Sequence, residues 1–210
     1  MILKIKTGFI SLLVKIIVKH PGFMESKLFL KAMQVFPEMI STRYDDSIEP
    51  KEGEYLAPLK SGLINIHIKP QKILDLCTGT GNAAFTASRL FPDAKIVAID
   101  QSDSMIKIAQ KKAIEMNFVQ VEFKKENAAK LNEADNSFDL VLTANAPVYI
   151  SEAIRVLKPG GIFLAAYSYG GDAFLANRAP ISVFLNTKGL TLLELKNANK
   201  GAYFLCKKSP

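Results

Sequence analysis

The order of apolar runs along the chain predicts a doubly wound α/β fold, a mostly parallel sheet with a helical amino-terminal extension. Three observations predict it. Near-continuous apolar runs at 73–76, 96–99 and 138–143 have the length of strands buried on both faces. Stretches with apolar residues at helical spacing separate them, such as Ala83, Ala84, Ala87, Leu90 and Phe91. The glycine turn Gly79-Thr80-Gly81 follows the first run directly, where an α/β sheet places its ligand.

The chain of 210 residues is long enough for one α/β core, and 49% hydrophobic against 22% charged content fits a folded soluble domain. Cys77 and Cys206 are too few and too far apart for a disulfide framework, and they fit a reducing cytoplasm. No Cys, His and carboxylate cluster has metal-ligand spacing, so no metal is expected. Of the formal charge of +7, residues 1–31 hold six lysines against Glu25 alone. Lysine outnumbers arginine 23 to 4, which argues against a nucleic-acid partner.

Residues 2–19 predict an amphipathic helix. Lys4, Thr7, Gly8, Ser11, Lys15 and Lys19 share a narrow arc opposite Ile2, Ile5, Phe9, Leu12, Leu13, Ile16 and Ile17, an apolar arc broken by Lys6. His20-Pro21-Gly22 ends it, and its uncharged run is far short of the ~20 residues that span a bilayer. No small-residue cleavage site follows, so a secretory signal is not expected. Three roles remain open for residues 1–20: a helix docked on protein, a peripheral contact with a membrane surface, or a lid over the substrate. A second short helix is expected over 25–35, and residues 1–36 form a unit apart from the domain at 37–210.

In that domain a helix is expected over 54–66, leading into the first strand, with His67 in a structural role. Asp75 interrupts the strand near its end, and Asn82 is placed to cap the following helix. Two ligand classes use such a turn. Gly79-x-Gly81-x-x-Ala84 with Asp100 can be fitted to a dinucleotide fingerprint. An acidic Asp75, however, suits a cationic ammonium and repels a diphosphate, which favours S-adenosylmethionine. The second strand ends in Asp100, and Ser102 caps a helix over 103–116. Strands are expected at 119–123, 138–143 and 162–166, then interrupted helix over 172–189 with its break at Pro180. Strands 191–196 and 202–207 close the chain as a hairpin.

Asp75-Leu76-Cys77-Thr78-Gly79-Thr80-Gly81 resembles the first motif of the class I S-adenosylmethionine-dependent methyltransferases, D-x-G-x-G-x-G, with Cys77 in place of the first glycine. Glu126-Asn127-Ala128 through Ser137-Phe138-Asp139 and Arg155-Val156-Leu157-Lys158-Pro159-Gly160-Gly161 resemble two further motifs of that family, in its ubiquinone and menaquinone branch. The resemblance covers about residues 40–208. It implies a seven-stranded Rossmann-like sheet, S-adenosylmethionine as cofactor, and methyl transfer to a small, apolar acceptor. It places Tyr44, Asp75, Thr78, Gly79, Gly81, Asp100, Gln101, Met105, Asn127, Ala128 and Asn145 at the cofactor. Asp100 would accept from the ribose hydroxyls, Met105 would pack on adenine, and Asn127 would stand for the family aspartate that accepts from the adenine amino group. In Asn145-Ala146-Pro147-Val148-Tyr149 the Asn-Ala pair is expected to open a short helix. This segment departs from the Asn-Pro-Pro-Tyr of amino-group methyltransferases, because Ala146 replaces the first proline and Val148 separates Pro147 from Tyr149. A macromolecular acceptor held by the basic extension and a nicotinamide-dependent oxidoreductase stand as alternatives. No catalytic base is assigned; His20 is a candidate, and Tyr149 would orient an acceptor or pack in the fold.

Overall fold

A computed structural model describes residues 52–210 together with His20 and Ser26. The expected helices over 2–19 and 25–35 and the turn carrying Tyr44 lie outside the described residues, apart from Ser26. His20 is exposed.

Seven strands form one sheet in the order β3-β2-β1-β4-β5-β7-β6. They are β1 (Lys72–Leu76), β2 (Lys95–Asp100), β3 (Val121–Lys125), β4 (Phe138–Ala144), β5 (Leu157–Tyr167), β6 (Leu190–Ala198) and β7 (Gly201–Lys208). The first five run parallel, and β7 is antiparallel to both β5 and β6. The helices are α1 (Glu52–Tyr55), α2 (Ala57–Ile64), α3 (Asn82–Leu90), α4 (Asp103–Glu115), α5 (Ile150–Val156), α6 (Gly171–Ala176) and α7 (Arg178–Thr187).

The strands are apolar on both faces because each feeds two cores, with alternate residues pointing opposite ways. Leu74, Leu76, Val97, Ile99, Val141 and Phe163 join one core with Ile150 and Ala153 of α5, Phe174 of α6 and Leu185 of α7. Ile73, Ile96, Ala98, Leu140, Leu142 and Leu164 join the other with Leu59 and Leu63 of α2, Ala84 of α3 and Ile106 of α4. The chain order reverses between β1 and β4, which opens a crevice beyond their carboxyl ends.

Several boundaries differ from expectation for local reasons. The helix expected over 54–66 bends at Leu56 and divides into α1 and α2, with Pro58 in the first turn of α2, where a missing N–H is tolerated. Strand β3 begins at Val121, because Val119 lies in the preceding turn with 87% of its surface exposed. The helical break after β5 falls at Asn177, not at Pro180, which occupies the first turn of α7. Strand β5, expected from 162, begins at Leu157 within the Arg155-Val156-Leu157-Lys158-Pro159-Gly160-Gly161 stretch, with Gly160 at φ 74 and a register shift between Phe138 and Leu140. The hairpin loop contracts to Asn199-Lys200.

Candidate active site

Strand register brings three carboxyl ends together: Leu76 of β1 pairs with Ile99 of β2 and Thr143 of β4. The glycine turn rises from the first of these ends. The Thr78 amide donates to the Ile99 carbonyl at 2.8 Å and the Gly81 amide to the Thr78 carbonyl at 3.0 Å, so the turn is stitched to β2 and closed on itself. Cys77, Gly79 and Gly81 have φ of 58°, 56° and 90°. The left-handed value at Cys77 explains why glycine is the residue expected there.

Gly81, not Asn82, caps α3, since its positive φ swings the chain into the first helical turn. A Cβ there would meet Phe85 Cε2 at 2.8 Å, so the residue underlies the site without lining it. Asn82 is the first residue of α3, and its Oδ1 accepts from Lys112 Nζ at 3.0 Å.

Asp100 organises the turn. Its Oδ2 accepts from the Gly79 amide and its Oδ1 from the Ser102 amide, each at 2.9 Å. One carboxylate thereby ties the glycine turn to the start of α4. Ser102 caps α4 as expected, its hydroxyl accepting from the Met105 amide at 3.3 Å. The resulting cavity is lined by Cys77, Thr78, Gly79 and Thr80 of the turn, Asp100, Gln101 and Met105 of the second strand and helix, Ala144 to Pro147 and Tyr149 after β4, and Tyr55, Leu56, Asn82 and Ala83. Nothing lies within 4 Å of a Cβ built on Gly79, so the backbone there is open to a ligand.

Six of the expected residues line this cavity: Thr78, Gly79, Asp100, Gln101, Met105 and Asn145. Asp75, Gly81, Asn127 and Ala128 do not. Asp75 is fully buried beneath the turn, and its Oδ2 accepts from the Thr78 hydroxyl at 2.5 Å. Burial pushes its carboxyl up; the Thr78 hydroxyl pulls it partway back and the Asp100 charge pushes it up again, to about 7. Asn127 is exposed, and its Oδ1 accepts from the Ala129 amide at 2.9 Å in an Asx turn, which uses one of that oxygen's two lone pairs. Ala128 packs into the core at 6% exposure.

Asn145 does not open a helix. It stands at φ 55, and α5 begins only at Ile150 with Tyr149 as its preceding residue. Its side-chain amide spans to the end of β5: Oδ1 accepts from the Ser168 amide and Nδ2 donates to the Ser168 hydroxyl, both at 2.8 Å. That hydroxyl donates in turn to the Tyr55 carbonyl at 2.6 Å. Sequence reasoning missed Ser168 and Tyr55, which carry no motif of their own. The Tyr149 hydroxyl is pushed up to about 12 by burial and by Cys77 and Asp100, so it stays protonated at neutral pH. Burial and the two aspartates push the Cys77 thiol up as well. Among the described residues no group of three His, Cys, Asp or Glu side chains could hold a metal, and no helix is long and apolar enough to cross a membrane.

The comparisons agree with this geometry. A family model described as a methyltransferase domain matches residues 68–195. The demethylmenaquinone methyltransferase of Lactococcus lactis is 40% identical over 97 residues, 42% of this chain and 38% of that protein. The ubiquinone/menaquinone biosynthesis C-methyltransferase UbiE of Methylobacterium nodulans is 31% identical over 137 residues, 60% of this chain and 54% of that one. The matches thus span about half or less of these relatives. Among solved structures, a SAM-dependent methyltransferase from Aquifex aeolicus superposes with a TM-score of 0.65 at 18% identity, over 80% of this chain and 97% of that one. A Burkholderia thailandensis 1,6-didemethyltoxoflavin-N1-methyltransferase superposes with 0.65 at 13% identity, over 84% and 88%. These two show the shared fold. With its motifs, its sheet order and the matched model in agreement, the chain belongs to the methyltransferase-domain family, in the class I Rossmann-like fold.

Proposed function

We propose that this protein transfers a methyl group from S-adenosylmethionine to a small, apolar, ring-bearing acceptor of the quinone-precursor kind. The observation that carries the reading is the Asp100 carboxylate, held at the cavity wall between the Gly79 and Ser102 amides. A carboxylate at this place is an acceptor for ribose hydroxyls. Three features fit the cofactor: that carboxylate, the open backbone over Gly79, and the buried Asp75 Oδ1, which has no hydrogen-bond partner. The relatives' names support a quinone-type acceptor.

When bound, the cofactor supplies an activated methyl on a sulfonium. The chain's part is to orient the acceptor and exclude water. Asp100 and Gln101 would hold the ribose, Met105 the adenine edge, and Thr78 and Gly79 the amino-acid end. Tyr44 is proposed as a further contact from the amino-terminal side. Asn127 and Ala128 would shape the adenine side through the turn they form, and Gly81 would do so through its bend. Ala144 to Pro147 and Tyr149 would face the transferable methyl, with Tyr149 as a neutral phenol. Residues 1–36 are proposed as a separate basic extension whose first 20 residues make a peripheral surface contact.

Calorimetry with S-adenosylmethionine tests the reading. Asp100→Asn should weaken binding by about 2 kcal/mol, the scale of a charge-assisted hydrogen bond. Unchanged affinity in that variant would remove Asp100 from the site, and tight NADH binding with no response to S-adenosylmethionine would sink the function.

A further inference from the structure

Two walls of the cavity are fastened to one buried residue that does not line it. Ser168 follows β5 directly and has 5% of its surface exposed. Its partners do line the cavity: Asn145 in the stretch after β4, and Tyr55 at the end of α1.

The chemistry of the ends fixes the direction of this chain of hydrogen bonds. The Tyr55 carbonyl can only accept, so the Ser168 hydroxyl donates to it, at 2.6 Å. That hydroxyl then offers only lone pairs to Asn145, whose Nδ2 donates at 2.8 Å. The Ser168 amide can only donate, and it reaches Asn145 Oδ1 at 2.8 Å. The Asn145 amide adds a bond to the Ala166 carbonyl at 2.9 Å. Asn145 thus stands at φ 55 with its backbone and both ends of its side chain fastened to 166–168. Sparsely populated backbone persists where its surroundings over-determine it. The next residue is held from the same place, since the Tyr167 hydroxyl donates to the Ala146 carbonyl at 3.3 Å. The start of β7 backs this corner: a Cβ on Gly201 would stand 2.8 Å from Ser168 Cα.

Resting on the reading of this cavity as a methyl-transfer site, we propose that Ser168 is a positioning residue for the acceptor. Its hydroxyl sets the 145–149 stretch, which faces the transferable methyl in that reading, at a fixed distance from the α1–α2 bend. The cofactor side is held by a different set of bonds, from Asp100 to the Gly79 and Ser102 amides and from Ser102 to the Met105 amide. Acceptor placement and cofactor binding therefore depend on separate bonds, and a variant can part them.

Ser168→Ala removes the hydroxyl and keeps the amide that holds Asn145 Oδ1. Hydrogen exchange of the full chain, read by mass spectrometry, should quicken over both 53–60 and 144–150 and stay unchanged over 77–82. Demethylmenaquinone serves as the acceptor probe. With it, Ser168→Ala should lower kcat about tenfold or more, the scale on which misplaced reacting groups lose rate, and leave S-adenosylmethionine affinity within about twofold. Asn145→Asp sets an acceptor-only carboxylate where the chain needs a donor, and it should lower kcat similarly. Because both act through one chain, the double variant should lose little more than the worse single one. A fall in kcat matched by an equal fall in cofactor affinity would make Ser168 a support of the fold and overturn the proposal. Faster exchange over one wall only, or additive losses in the double variant, would overturn it too. Wild type that binds S-adenosylmethionine without methylating demethylmenaquinone would overturn the acceptor named above, not this inference. Paired exchange of the two walls would still support the inference, and exchange of one alone would still overturn it.

Discussion

Cys77 occupies a left-handed backbone at φ 58 with its side chain against the core, where the resembled motif has glycine. An L-residue in that region costs about 1–2 kcal/mol, and glycine returns part of the gain through its freer unfolded chain. Cys77→Gly should therefore stabilise the protein by about 0.5–1 kcal/mol and raise Tm by about 2 °C. Scanning calorimetry checks this, and a lower Tm would mean that the thiol's packing outweighs the strain. Other single residues also depart from their local reading. Asn127 keeps the place of the family aspartate, and its oxygen also accepts from the Ala129 amide, forming an Asx turn. Asp100 does two jobs, fastening the turn while facing the cavity. Asp100→Asn sets an amide NH2 against one of those two backbone N–H groups, so it perturbs the turn as well as any ligand contact, and a larger substitution perturbs it further.

At the scale of elements, Arg155 does what the Arg-Val-Leu-Lys-Pro-Gly-Gly motif only hints at. Its Nε and Nη2 grip both oxygens of Glu152 at 2.9 and 2.8 Å. Nη1 donates to the Glu133 carbonyl at 2.8 Å and to Asp135 at 2.6 Å, and Nη2 to the Leu131 carbonyl at 3.0 Å. Helix α5 is thereby clamped to the 131–135 segment that leads into β4. Arg155→Ala leaves two carbonyls without their donor and should destabilise the fold by about 2 kcal/mol. Arg155→Lys should recover only part of that, because an ammonium cannot reproduce the planar fork. Urea denaturation measures both, and full rescue by lysine would show that charge alone matters. At the other end of the sheet Gly201 is required by close approach: a Cβ there would stand 1.9 Å from the Tyr167 carbonyl oxygen. That contact lets the two-residue loop bring β7 against β5.

For the whole molecule, the division between the basic segment and the domain is open to a direct test. The narrow lysine arc over 2–19 lies outside the stretch matched by the family model. Removing residues 1–20 should leave S-adenosylmethionine affinity within about twofold, since Asp75, Asp100 and the glycine turn remain. It should abolish binding to anionic vesicles, an interaction that salt weakens. Loss of cofactor affinity in a folded truncated protein would make the segment a lid instead. The five parallel strands, the glycine turn, the Ser102 cap and Asp100 at its strand end were legible in the sequence. Each depends on residues within one or two neighbouring elements, where periodicity and spacing carry the information. The clasp from Asn145 through Ser168 to the Tyr55 carbonyl was not, because its bonds join positions 23 and 113 residues apart. Nor were the burial of Asp75 beneath its own turn and the grip of Arg155 on the 131–135 segment. Local pattern determined which segments become strands and helices and which residue types gather at the crevice. Only the packed sheet decided which side chains face the cavity and which are spent holding its walls, since hydrogen-bond partners distant in sequence are chosen by register and packing.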